Sequence, residues 1–167
     1  MLDRIEKANQ NVTQFACPFS QVRVLVTKNK VQMAGDLSYD ASGLLSMVYS
    51  RPEGDLFEIT ATHLVMKNGG KERRFELAKT PMMRRLADCL LKSLSGQIRS
   101  LAAENDAVCQ VMDDGRFYVV TYEAPEGTSV GYSRILIRYR KTDCRLVALE
   151  LYESSGLANL YTLQHAD

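Results

Sequence analysis

The chain has no tryptophan, only two histidines and no excess of either charge, with 21 Lys and Arg against 20 Asp and Glu for a formal net charge of +1. Near-neutrality excludes a general electrostatic footprint for nucleic acid or for an anionic membrane surface. No apolar run approaches the roughly 18 residues that a spanning helix needs. The opening Met1-Leu2-Asp3-Arg4-Ile5-Glu6 lacks the apolar centre of a signal peptide. Two readings follow: a cytosolic protein, or an exported one whose signal lay upstream of Leu2. The four cysteines, Cys17, Cys89, Cys109 and Cys144, contain no CxxC spacing, which argues against a zinc knuckle or redox motif, so no metal is expected. They can form two disulfides in any of three connectivities or remain buried thiols, and export would favour a bridge.

What is present is ordinary globular composition, 46% hydrophobic and 25% charged. Its 167 residues suffice for one domain, 1–167, with a sizeable core. Leu2, Ile5, Ala8, Val12 and Phe15 recur every three to four residues, predicting a helix of about fourteen residues that ends before Cys17-Pro18. The period then becomes two. Val31, Met33, Gly35, Leu37 and Tyr39 form one face of a strand, paired with an upstream strand over Phe19–Val26. Leu45, Met47 and Tyr49 share a face of the next. Asn68-Gly69-Gly70 is the strongest hairpin signal, and Asp113-Asp114-Gly115 and Ser154-Ser155-Gly156 read as further turns.

Thr80-Pro81 reads as a helix N-cap with proline at the first helical position, and Met83, Leu86, Leu90 and Leu94 stripe the helix that follows. Gly96 stops it, and Gln97 to Glu104 forms a second short helix. The tally is about eleven strands in meander order, with a helix before them and a helical insertion near the middle. The fold class is α+β, mainly β. The predicted architecture is an incomplete antiparallel barrel, covered by the N-terminal helix and a central helical lid.

Candidate catalytic groups are few. His63 and His165 read as surface side chains, the Ser154-Ser155-Gly156 turn lacks nucleophile-elbow spacing, and no acid–base pair is visible. Arg73-Arg74 and Arg84-Arg85 read as solvated pairs. The reading is a binder rather than an enzyme, with no cofactor. Seven methionines and eight tyrosines supply adaptable apolar surface, several at alternating strand positions.

The stretches Phe19-Ser20-Gln21, Gly35-x-Leu37-x-Tyr39 and Leu45-x-Met47-x-Tyr49-x-x-Pro52 resemble the opening of the outer-membrane lipoprotein carrier (LolA) family. Ser155-Gly156 before the alternating final strand matches that family's glycine-containing turn, and the order of elements agrees. The resemblance implies a periplasmic carrier or chaperone in lipoprotein transport, sheltering acyl chains between a curled sheet and a helical lid spanning Thr80 to Glu104. Its implied partners are acylated lipoproteins or lipid acyl chains, an inner-membrane release complex and an outer-membrane receptor, with no nucleic acid, and the carrier is expected to act as a monomer. Where the family has an arginine-containing turn that holds the lid closed, this chain has Asp40-Ala41-Ser42-Gly43, and Met47 replaces a common tryptophan.

Facing stripes of period 2 and period 3.6 predict an apolar cleft. Met33, Leu37, Tyr39, Leu45, Met47, Tyr49, Tyr122 and Ile137 would line one side, and Met83, Leu86, Leu90 and Leu94 the other. A second reading keeps the same half-barrel as a lipid- or envelope-sensing interaction module.

Overall fold

The computed structural model describes residues 1–104, 107–127 and 132–165. In chain order the elements are α1 (Leu2–Gln10), β1 (Gln14–Val24), β2 (Lys30–Asp40), β3 (Leu44–Arg51), β4 (Glu53–Ile59), β5 (His63–Asn68) and β6 (Lys71–Glu76). A 3-10 turn at Leu77–Lys79 leads to α2 (Pro81–Ser95) and α3 (Ile98–Glu104). The second half comprises β7 (Val108–Asp113), β8 (Phe117–Glu123), β9 (Tyr132–Arg140), β10 (Leu146–Glu153) and β11 (Ala158–Leu163).

All the strands belong to one 11-stranded sheet in the order β6-β5-β4-β3-β2-β1-β11-β10-β9-β8-β7. Two meanders, each built of antiparallel hairpins, are joined where β1 pairs with β11. The sheet is unclosed: β6 and β7 are its two edges. Helices cover one face, and the core lies between that face and α1, α2 and α3. Strand alternation dictates which residues enter it. In β2 the buried positions are Met33, Gly35, Leu37 and Tyr39, and the intervening residues are exposed or half-buried.

The N-terminal helix is shorter than expected. α1 ends at Gln10, and Phe15 and Cys17, placed by spacing at or beyond a helix end, lie in β1 opposite Tyr39 and Leu37. Phe15, Cys17, Phe19 and Gln21 form a period-2 face that overlaps the helical spacing, and ladder pairing with β2 decides between the two. Asn9 closes the helix by donating from Nδ2 to the carbonyls of Ile5 at 2.8 Å and Cys144 at 2.9 Å. Pro18 is tolerated inside β1 because its carbonyl accepts from Gln164 N at 3.0 Å, one residue past the end of β11. The backbone side that lacks an N–H therefore faces a strand end and leaves the β2 ladder intact.

Thr80 does not cap α2 with its side chain; its hydroxyl donates back to the Glu76 carbonyl at 3.0 Å. Pro81 does start the helix, and Gly96 ends it at φ 73°. All four cysteines are free thiols, on β1, α2, β7 and the β9–β10 turn, so the bridge that export would favour is not formed. Among the described residues no helix is long and apolar enough to cross a membrane.

Candidate functional site

The inner face of the sheet is the feature with functional content. Register aligns it across strands: Leu37 pairs with Met47, Tyr39 with Leu45, Gly35 with Tyr49, and on the far side Tyr122 with Ile135 and Val120 with Ile137. Against it lies α2. The expected site residues of β2, β3, β8 and β9 all point inward and are buried, together with Leu90 and Leu94 of α2. Met83 and Leu86 are half-buried and pack on the same cluster. The structure thus brings the predicted residues together, but as a filled core in which α2 occupies the concavity. Leu90 is 3% exposed and Ile137 fully buried.

The contact between α2 and the sheet is apolar apart from a few polar links. Tyr139 Oη donates to the Ser93 carbonyl at 2.8 Å, and Ser93 Oγ donates within the helix to Cys89 O at 2.7 Å. Among the described residues no ion pair joins α2 to the sheet; Lys92 pairs instead with Glu104 of α3 and bonds Ser100 at 3.0 Å. Burial raises the pKa of the Tyr122 hydroxyl, with the Cys89 and Cys109 thiols adding to it, to about 12. Burial likewise pushes the Cys89 thiol up to about 12, and Tyr139 rises further still. This environment penalises charge and favours apolar occupants.

At the other end of the inner face sits a polar seam that sequence reasoning missed. Tyr49 Oη donates to Gln21 Oε1, Gln21 Nε2 donates to Asn159 Oδ1 at 2.9 Å, and Arg23 Nε donates to the same oxygen at 3.2 Å. Gln21 is 1% exposed, and this network satisfies its amide. The one signal for it was a glutamine at an inward-facing position of β1. His165 is a second omission. It is half-buried, its ring meets Phe15 edge-on at 5.2 Å, and Nε2–H donates to the Leu146 carbonyl at 2.7 Å, so it is no surface residue. His63 is half-buried as well, with Nδ1 2.7 Å from Thr62 Oγ1. Arg73, Arg74, Arg84 and Arg85 are exposed, as solvated pairs should be.

A groove of about 690 Å3 opens beside the core, lined by Phe15, Tyr39, Leu45 and Ile59 and by the polar residues Gln14, Asp40 and Glu58. A second, of about 450 Å3, lies between α1, the β2–β3 turn and the α2–α3 junction, with Glu6, Arg99 and Tyr39 in its wall.

These features define a class by fold: an open antiparallel half-barrel with helices packed into its concave face, as the resemblance to the lipoprotein carriers implies. No protein-family model and no curated protein matches the chain. Among solved structures, MucB matches at 12% identity and a TM-score of 0.54, over 97% of this chain and 55% of MucB, so this chain spans about half of that protein. A LolA superfamily protein from Nitrosomonas europaea matches at 11% identity and TM-score 0.43, over 98% of this chain and 90% of its own. The Mycobacterium tuberculosis lipoprotein LppX matches at 12% and 0.48, over 98% and 91%. At such identities the likeness to MucB is one of fold alone.

Proposed function

We propose that the chain is a periplasmic carrier that binds the acyl chains of lipoproteins or other lipids between the inner face of the sheet and α2, without catalysing a reaction. The observation that carries this reading is the character of the α2–sheet contact. The leucine stripe of α2 rests on an inner face rich in tyrosine and methionine, and no described ion pair locks it there. An acyl chain can replace the contacts of Leu86, Leu90 and Leu94 with chemically equivalent ones. Displacing α2 then exchanges one apolar surface for another, and the ligand can shift the balance by its own binding energy. Each methylene buried contributes about 0.8 kcal/mol.

The inward-facing groups support binding over catalysis. Burial holds Cys89 and Tyr122 near 12, well away from a working acid or base at neutral pH. The sequence resemblance to the lipoprotein carriers supports the same ligand class. Partners in this reading are acylated lipoproteins, with a release complex at the inner membrane and a receptor at the outer.

Native mass spectrometry of the protein purified from cells with an intact envelope tests the proposal. Retained adducts with the masses of acyl lipids are expected. Bare protein alone, under conditions that preserve lipid adducts of a control carrier, would contradict it.

A further inference from the structure

The two edges of the sheet differ in chemistry. β6 reads Lys71-Glu72-Arg73-Arg74-Phe75-Glu76, and its first four side chains are exposed charges of the kind that discourages edge-to-edge pairing. β7 reads Val108-Cys109-Gln110-Val111-Met112-Asp113 and carries no charge before its last residue. Val108 is 62% and Met112 61% exposed on its outer face.

The free backbone groups of β7 follow from the hairpin. Asp114 N donates to Phe117 O at 3.1 Å, so the ladder bonds alternate from that pair through Met112–Val119 and Gln110–Thr121 to Val108–Glu123. The N–H and C=O of Cys109 and Val111 therefore point away from β8. Ala124 N donating to Ser133 O at 3.0 Å gives β8 and β9 the matching phase. Among the described residues no partner meets the outward groups of Cys109 and Val111.

We propose that β7 is a self-pairing edge, through which two copies of this chain join their sheets antiparallel about a two-fold axis at Gln110. This register places Cys109 opposite the second copy's Val111, and Val111 opposite its Cys109. Both are bonded pairs, about four new backbone hydrogen bonds in all. It also places Val108 over the second copy's Met112, and Met112 over its Val108, so that the most exposed apolar side chains of the strand cover each other. Asp113 falls opposite the second copy's uncharged Ala107. Pairing β7 with β6 of another copy would set an apolar strand against Arg73 and Arg74, and as a head-to-tail contact it would build a ring or a filament rather than stop at a pair. The self-pairing is closed and stops at a dimer, in place of the monomer expected from the carrier resemblance.

Sedimentation equilibrium across a concentration series tests this on the full chain, with Val111→Pro and Met112→Lys as variants. Proline at 111 removes an outward N–H and leaves the β8 ladder intact, and lysine at 112 places a charge at the contact without touching the backbone. A wild-type dimer is expected, with each variant raising the dissociation constant about tenfold or more while far-UV circular dichroism is unchanged. If proline at 111 disturbs the fold, Met112→Lys decides. Wild-type protein that stays monomeric at high micromolar concentration, or a dimer that folded Met112→Lys leaves unchanged, overturns the proposal.

Discussion

At the scale of single residues, Gly35 carries more constraint than its size suggests. It lies at a β-bulge between β2 and β3, with Phe19 opposite it on one side and Tyr49 on the other, and the two rings meet edge-on at 5.2 Å. A Cβ there would sit 2.2 Å from the Val48 carbonyl oxygen and 2.8 Å from the Tyr49 Cα. Backbone atoms cannot yield as a flexible side chain would, so Gly35→Ala is expected to cost about 3 kcal/mol in urea unfolding; a loss within experimental error would show that the bulge adapts. His165 sets a pH dependence. Burial holds its imidazole below the ordinary 6.5, the Leu146 bond opposing and Arg145 and Arg140 reinforcing the shift. The unfolded chain then binds the proton more readily, so stability is undiminished above that value and falls as pH drops through it toward the folded pKa. Urea midpoints compared above pH 7 and near pH 5 should fall less in His165→Gln, whose amide keeps a donor for Leu146. Equal falls in both proteins would assign the acid sensitivity to other groups.

At the scale of elements, the strands were legible because one face of each is buried and the alternation of Met33, Leu37 and Tyr39, or of Leu45, Met47 and Tyr49, survives in the sequence. Turns at Asn68-Gly69-Gly70 and Ser154-Ser155-Gly156 were legible for the same local reason: positive φ at Gly69, Gly70 and Gly156. The α1–β1 boundary was not. Val12 and Phe15 satisfy a helical spacing and Phe15, Cys17 and Phe19 a strand spacing, and only the ladder to β2, remote in sequence, selects between them. Gly96 illustrates a partial reading. Its role as a helix stop follows from conformation, but Asn9 packs against it so closely that a Cβ would lie 3.0 Å from Nδ2, a tertiary contact no local pattern reveals. The inward parity of the site residues was readable, whereas the filling of the concavity by α2 was not, because it depends on helix and sheet meeting across the fold. The Phe15–His165 ring contact and the Gln21–Asn159 bond escaped for the same reason, joining residues at opposite ends of the chain.

At the scale of the whole molecule, a half-barrel that remains unclosed must cover its inner face with something, and here three short helices do so. In the proposed function α2 is a displaceable cover whose place an acyl chain takes. Leu90, central in the stripe and 3% exposed, separates this from a permanent core. A glutamate there stays hydrated only if α2 leaves the sheet. In a permanent core the same change unfolds the domain at a cost of several kcal/mol. The deciding measurement is titration of a fluorescent long-chain fatty acid into wild type and Leu90→Glu, with a thermal melt of each on the same samples. Saturable binding by wild type is expected, with loss of that binding in the variant at a nearly normal melting temperature. Absence of saturable binding by folded wild type, or a variant that unfolds outright, would contradict it.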